Sequence, residues 1–549
     1  MTDFHQVNMS GAPARVLPTD AVREVPFDFG ATENCVGWRE NLAWPMTYAE
    51  AFGIVRGVVR RLLSFTCSIQ DERLRRIAVL GSGRIVALAI AHTETAFCLQ
   101  REKAASLRLV GGTPNLAWLR GESLESPSNP SEFTAFKPIA EPRWIAARRF
   151  ARTAGWTPFH RLPSALFSPQ TVAVSHNVTL RDAARREGRA IGFHHAESLL
   201  AKARVKGARS NGASGEVREL AMALARTLSA APELEPEYPP RVRALIESSA
   251  VDEFNRAAAD LSGLANMPRL PLELWSGSGG YYPARALGLE VQRRGGRVVR
   301  FAHGWFAGMT SVPEPIAFSE LASSDVYVLE TPDAAANFKA TGAAELVVQA
   351  NSVEIIGHRG ASTLAQLPLD SRRPEPVRRR VVYAPTILRG NRQLMPPLLP
   401  DPIYLDWQFR LVEALSKMSI DLICKPHPEG LFRGQIHPLA AHAPTSARPF
   451  EAHMAEADVF LFDYGQSTTF AEALCSDRPV VLIDMGNPTF NDDVRVMIER
   501  RCRVVNAHFD ARCRPNVDVE ELAHALCTGP ARADPTEFRG LLMGGSNTL

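Results

Sequence analysis

The sequence has little net charge, scattered cysteine and no long apolar run. Among its 549 residues, 62 Lys and Arg face 59 Asp and Glu, so the formal charge is only +3. A balance that even leaves no electrostatic footprint for nucleic acid, and none is expected as a partner. The 8 cysteines include no C-x-x-C pair, which removes the usual zinc and thiol-redox spacings and makes reduced thiols in the cytosol the expectation. Met1 to Asp20 is polar and lacks the apolar core of a signal peptide. The longest strongly apolar stretch, Ile85 to Ala91, is far too short to span a bilayer. The expected location is therefore cytoplasmic, either free or peripheral at the inner face of a membrane. Asp-x-Asp does not occur, nor does a G-x-S-x-G elbow or a Walker lysine loop. No metal site is expected.

What is present is ordinary globular composition, 45% hydrophobic and 22% charged, in a chain long enough for roughly two to four domains. Short β-branched runs alternate with helical stretches. They include Arg76–Leu80, Thr171–Ser175, Leu272–Trp275, Arg297–Phe301, Asp325–Leu329 and Glu345–Gln349. A second series runs through Arg380–Ala384, Asp421–Cys424, Asp458–Phe462, Pro479–Ile483 and Cys502–Asn506. Such apolar strands suit parallel sheets covered on both faces, so the class is α/β. Ser123–Pro130, Ala208–Glu216 and Ala231–Pro240 read as loops or insertions. Leu367–Arg380, with Pro368, Pro374 and Pro376 among charges, reads as an interdomain linker. Its arginines 372, 373, 378, 379 and 380 suit a solvated linker or contact with an anionic surface. The expected division is an extension over 1–40, an acceptor-side Rossmann-like domain over 41–370 and a nucleotide-binding one over 371–540. Two such domains would face each other across a cleft at the carboxyl ends of their strands, where ligands bind open α/β sheets.

The candidate chemistry lies in loops that follow strands. After Cys424 come Lys425, Pro426, His427, Pro428 and Glu429. Prolines on both sides of a histidine stiffen the loop and aim the ring, and the adjacent ammonium suits a phosphate oxygen. The alternative is a rigid turn whose histidine bonds backbone. His437-Pro438 lacks a preceding strand and lysine and is set aside. After Phe462 the chain reads Asp463-Tyr-Gly-Gln-Ser-Thr-Thr469, with a helix expected from Thr468. Ser467, Thr468 and Thr469 at that helix start could hold an anion, or simply cap it, and Glu472 one turn on could reach a ribose hydroxyl. His303, directly after the strand 297–301, is the best general base, since an imidazole exchanges protons near neutral pH. Glu314 and Asp333 are weaker carboxylate candidates. The loop Ser276, Gly277, Ser278, Gly279 lets backbone approach an acceptor or phosphate, or serves the turn alone. Gly81-Ser82-Gly83, with Glu102 beyond, is a partial dinucleotide fingerprint.

The ordered set Tyr383-Ala-Pro-Thr386 with Arg389, then Lys425-Pro-His-Pro428, then Asp463 to Thr469 resembles the C-terminal domain of bacterial surface-polysaccharide transferases. These are the capsule Kdo transferases, the bacterial sialyl- and polysialyltransferases and the teichoic-acid glycerophosphotransferases. The match spans about Arg380 to Asn506. The resemblance implies a GT-B fold of two Rossmann-like domains, with a cytidine nucleotide on His427 and Pro428 and its phosphate on Ser467, Thr468 and Thr469. His303-Gly304 is similar to a His-Gly element of the Kdo transferases, although Ala302 stands where those have glutamine. The implied activity is metal-independent transfer of an acidic sugar such as Kdo or a sialic acid from a CMP-sugar to a glycan or glycolipid hydroxyl, with no further cofactor. Arg389, Lys425 and His427 would meet the leaving phosphate. The rivals are a CDP-glycerol-type phosphotransferase, for which the usual basic membrane helices are not seen, and a non-catalytic nucleotide-sugar scaffold.

Overall fold

The computed structural model describes residues 23–27, 29–32, 37–111, 114–123, 143–175, 177–206, 215–348, 352–360, 364, 366, 367, 369, 377–388, 399–486, 489–528 and 532–544. Arg23–Pro26 (β1) and Leu107–Val110 (β2) form a parallel pair of their own. Next come Thr171–Ala173 (β3), Ile191–Phe193 (β4), Glu273–Ser276 (β5), Arg297–Phe301 (β6), Val326–Leu329 (β7) and Glu354–Gly357 (β8). They make a parallel sheet in the order β4-β3-β5-β6-β7-β8. Arg379–Tyr383 (β9), Ile420–Cys424 (β10), Val459–Phe462 (β11), Val480–Asp484 (β12) and Arg503–Asn506 (β13) make a second, in the order β10-β9-β11-β12-β13. A short antiparallel pair, His508–Phe509 (β14) and Pro515–Asn516 (β15), follows. The protein is α/β, with two parallel sheets compatible with two Rossmann-like units. Each sheet reverses its strand order once, between β3 and β5 and between β9 and β11, and crevices for ligands open at the carboxyl ends of such switch points.

The helices that matter below are α1 (Tyr48–Ser68), α2 (Glu72–Leu99), α3 (Val178–Glu187), α4 (Gly215–Ser229), α5 (Tyr238–Ala265) and α6 (Tyr282–Arg293). They are followed by α7 (Glu314–Ser319), α8 (Pro332–Ala340), α9 (Asp401–Leu415), α10 (Thr468–Leu474) and α11 (Thr536–Met543). The central strands β7 and β11 are buried along their whole length, as strands covered on both faces must be. Helices α1, α2, α4 and α5 pack on one another as a layer in the N-terminal half.

That layer overturns one expected strand. Arg76–Leu80 lies inside α2, which starts at the Asp71 cap, whose side chain accepts from the Leu74 N–H. Ile77, Leu80, Ile85, Val86, Ala89 and Ile90 are buried in it, a helical spacing that the short β-branched run concealed. Gly81-Ser82-Gly83 is therefore mid-helix and presents no phosphate loop. A Cβ on Gly81 would stand 2.7 Å from Phe254 Cδ1, so this glycine serves close approach of α2 to α5. Glu102 is equally structural, accepting from Arg120 and from the Leu109 N–H. The dinucleotide reading falls with them. The described residues before 150 supply the β1–β2 pair and helices but no strand of the larger sheet, which begins at Thr171.

A second expected strand, Glu345–Gln349, is replaced by a 3-10 turn over Ala343–Leu346, entered through Gly342 at φ 71°. The next strand is instead β8. Of the expected loops, 124–130, 208–214, 368 and 370–376 lie outside the described residues, and Gly215 and Glu216 open helix α4 instead. Pro239 and Pro240 sit in the first turn of α5, where a missing N–H costs nothing. Arg380 pairs with Asp421 at 2.8 Å, and Arg378 donates to the Ile420 carbonyl at 2.6 Å. Among the described residues, no helix is long and apolar enough to cross a membrane.

The two halves touch through backbone. Thr310 bridges Phe490 in antiparallel fashion, the Ser311 N–H donates to the Thr489 carbonyl at 2.8 Å, and the Asn491 N–H donates to the Met309 carbonyl at 3.0 Å. Arg39 adds bonds to Asp406 and Glu413. Helix α11 returns to the N-terminal sheet, where Thr331 Oγ1 donates to the Leu541 carbonyl.

Candidate functional site

The C-terminal switch point is organised by Asp463, the first residue past β11. The buried strand delivers its carboxylate into the core, where it is 1% exposed. Oδ2 accepts from Tyr383 Oη at 2.6 Å and Trp407 Nε1 at 2.9 Å, and Oδ1 accepts from Tyr404 Oη at 2.9 Å. Burial raises its pKa above the usual range, against the pull of these donors. Tyr404 Oη also accepts the Thr386 N–H at 2.8 Å. One carboxylate thus ties the loop after β9, helix α9 and the turn after β11 into a single unit. Gln466 and Ser467 complete that turn. Ser467 caps α10 by accepting the Phe470 N–H at 3.1 Å and lies 3.0 Å from Thr469 Oγ1. Thr468 and Thr469 are half-buried on the helix start.

The loop after β10 lies beside that unit. The Lys425 N–H donates to the Tyr383 carbonyl at 2.7 Å, and the Leu431 N–H to the Leu388 carbonyl at 2.8 Å. Gly430 is held at φ 105° with Leu388 and Ile387 packed where a side chain would go, a position only glycine tolerates. His427 and Pro428 are exposed. The Glu429 N–H donates to His427 Nδ1 at 3.1 Å, which orients the ring and leaves the ring proton on Nε2. Lys425 is 8% exposed. Burial lowers its pKa, countered by Glu451, and its Nζ donates to the Pro426 carbonyl at 3.2 Å. Burial, aided by Glu451, raises the Glu472 carboxyl to about 8. At neutral pH Glu472 is therefore a neutral hydrogen-bond donor. Lys425, Glu451 and Glu472 form one electrostatic group. Arg389 lies outside the described residues.

Across from this edge stands the end of β6. Asn177, the cap of α3, donates through Nδ2 to the Phe301 and Ala302 carbonyls at 3.2 and 3.0 Å. His303 then projects into solvent. Gly304 and Trp305 both have positive φ, 88° and 66°, and a bulky residue there stores strain of order 1–3 kcal/mol. Burial of the Trp305 side chain holds the conformation. A Cβ on Gly304 would come within 3.2 Å of Thr468 Oγ1. The loop after β6 and the start of α10 are therefore in near contact.

Two expected sites are otherwise engaged. Glu314 is 2% exposed, and its Oε1 accepts from Arg56 Nε at 2.8 Å and Arg60 Nε at 2.6 Å. Burial alone would raise its pKa, but bonds from Arg56, its own backbone and Arg60 bring it below the carboxylate range. A carboxylate so held is a poor proton acceptor, so Glu314 is an anchor rather than a base. In the loop Ser276–Gly279, the Gly277 N–H donates to Ser175 Oγ, the Ser278 N–H to Ser276 Oγ at 3.2 Å, and the Gly279 N–H to Glu320 at 2.5 Å. Those donors are turned inward and are not presented to a phosphate or acceptor. Asp333 lies in the first turn of α8.

Sequence reasoning missed several residues that shape the site. Tyr404 and Trp407 read as ordinary apolar-face positions of α9, and only their polar tips hint at a partner. Arg56 and Arg60 read as helix surface. Glu330, the first residue past β7, is 1% exposed, and among the described residues no other residue bonds either carboxylate oxygen. Burial raises it to about 7. An acid directly after an all-apolar strand was its one visible signal. Among the described residues, no group of three or more His, Cys, Asp or Glu is spaced to hold a metal ion. No protein-family model matches this chain, and no curated protein does either.

Proposed function

We propose that this chain is a GT-B-type transferase that moves an acidic sugar, Kdo or a sialic-acid relative, from a CMP-sugar to a hydroxyl of a glycan or glycolipid. The supporting observation is the coincidence of three things at one switch point. The loops after β9, β10 and β11 are locked together through Asp463 and Gly430, they carry Lys425, His427, Ser467, Thr468 and Thr469, and they approach the loop that bears His303. In this reading the nucleotide lies against His427 and Pro428. The neutral carboxyl of Glu472 donates to a ribose or phosphate oxygen.

Transfer breaks the bond between the anomeric carbon and the CMP phosphate oxygen, and CMP leaves with the electron pair. The acceptor oxygen forms the new bond, and its proton passes to His303. In this reading Lys425 and the N–H groups opening α10 stabilise the growing phosphate charge. The near contact of Gly304 with Thr468 brings the acceptor-side loop against the donor turn in this reading. CMP release from CMP-Kdo and CMP-sialic acid, measured with and without glycan acceptors, tests this reading beside His303→Ala. Acceptor-dependent release that falls about 100-fold or more in the variant supports it. Release unchanged by the variant removes His303 as base, and no release from either donor removes the sugar class.

A further inference from the structure

Between the halves, next to the turn after β11, lies a narrow crevice that opens to solvent; the space in and over it, solvent included, is about 470 Å³. Four separate parts of the chain line it, one of them at Thr489, beyond β12. Helix α1 contributes Tyr48, Phe52 and Arg56, spaced by four so that they form one stripe. A capping box between Thr47 and Glu50 fixes the start of that helix. The chain after β6 contributes Phe306, and the nucleotide-side turn contributes Tyr464 and Gln466. Tyr464 is three residues from Ser467, so the crevice opens beside the proposed donor site.

Arg56 is the one charged residue among the described residues that line the crevice, and it shares Glu314 Oε1 with Arg60, which stands outside the crevice and is largely solvated. Arg56 spends only Nε on Glu314, and its two terminal nitrogens have no partner among the described residues. A guanidinium fork held at its base by a buried carboxylate and open at its tips is set to bind a planar or tetrahedral anion in two-point fashion. The aromatic walls beside it suit the flat face of a ring or a chain segment. A purely apolar ligand would leave the terminal nitrogens of Arg56 to water alone, and a free inorganic anion would leave the walls unused.

We propose that this crevice receives the acceptor, through an anionic group on Arg56 and an adjoining ring or chain face on Phe52 and Phe306. The assignment rests on the transferase reading above. The anion is a carboxylate, as on an acidic sugar residue, or a phosphate, as on a lipid-linked one. The probes that separate these are 4-nitrophenyl β-D-glucuronide and 4-nitrophenyl phosphate, with the neutral 4-nitrophenyl β-D-glucoside as reference. Each is titrated into the full-length protein by ligand-observed NMR with excess CMP present, so that the donor phosphate site is not the one measured.

At least one anionic probe should bind about tenfold or more tightly than the glucoside, and Arg56→Met should abolish that preference. The stronger anionic probe identifies the source. Arg56→Lys, which keeps the charge and the Glu314 pairing, should retain part of the preference and guards against a folding defect in the first variant. Phe52→Ala should weaken all probes alike. Equal binding of charged and neutral probes, or a preference that survives in Arg56→Met, overturns the proposal. If calorimetry detects no CMP binding but the anion preference still depends on Arg56, the donor reading fails and the crevice stands as an anion site. If CMP binds and the probes do not, the crevice assignment alone fails.

Discussion

Replacing Asp463 by Asn keeps the shape of the side chain and changes only its hydrogen-bond chemistry. Oδ2 faces two donors, the Tyr383 hydroxyl and the Trp407 indole, and Oδ1 faces the Tyr404 hydroxyl. An amide placed with its NH2 at Oδ2 sets a donor against the indole N–H, which cannot turn away. Placed the other way, it sets a donor against Tyr404, whose oxygen already accepts the Thr386 N–H. Either orientation leaves a buried donor poorly matched and removes the charge from the remaining bonds. The cost expected is about 1–3 kcal/mol. Because Thr386 and the 463–467 turn hang on the same carboxylate, the loss should appear twice. The urea midpoint should fall, and CMP affinity should drop about tenfold or more although no residue of the proposed nucleotide contact has changed. Tyr404→Phe removes one donor from Asp463 together with the acceptor of the Thr386 N–H, and should reproduce part of both effects. An Asp463→Asn protein with an unchanged urea midpoint and unchanged CMP affinity would refute the reasoning that this network holds the site.

Two further outcomes follow from the geometry. With Glu472 raised to about 8 from an unfolded value near 4.5, the folded state holds the extra proton. Its stabilising contribution is complete below about pH 4.5 and is lost as pH rises through about 8; CMP affinity should likewise weaken above pH 8 as a carboxylate appears beside the phosphate, and Glu472→Gln, followed by calorimetry from pH 6.5 to 9, should flatten that dependence. Gly304→Ala places a methyl 3.2 Å from Thr468 Oγ1 at φ 88°, so thermal melting should show destabilisation of about 1–2 kcal/mol from backbone strain, with donor turnover reduced as the two loops are pushed apart.

Much of the architecture is legible in the sequence because parallel strands buried on both faces write themselves as short apolar runs. The strands β5 to β7 and β9 to β13 all fall within a residue or two of such runs. The Ser467 cap and the strand-to-loop positions of Lys425 and His303 were equally local and equally legible. What failed was long-range. Ile77 to Leu80 carries the same residue types as a strand, and only packing of α2 on α5 through Gly81 makes it helical. Glu314 looked like an available carboxylate because Arg56 and Arg60 lie more than 250 positions earlier. Asp463 looked like the mere end of a strand because its donors are spread over Tyr383, Tyr404 and Trp407. The inward bonding of the Ser276–Gly279 loop depends on Ser175 and Glu320, both remote in sequence. Local patterning located the loops, and partners distant along the chain decided which side chains remained available for chemistry.

The central claim is that the C-terminal switch point binds a cytidine monophosphate, and calorimetric titration of the full-length protein with CMP, CDP and UDP in EDTA, beside His427→Ala, tests it most directly. The account predicts binding of CMP in preference to the other two, lost in the variant while its melting temperature is retained. Preference for CDP would turn the reading toward glycerophosphate transfer and preference for UDP toward hexose donors; the absence of binding to all three would contradict the account.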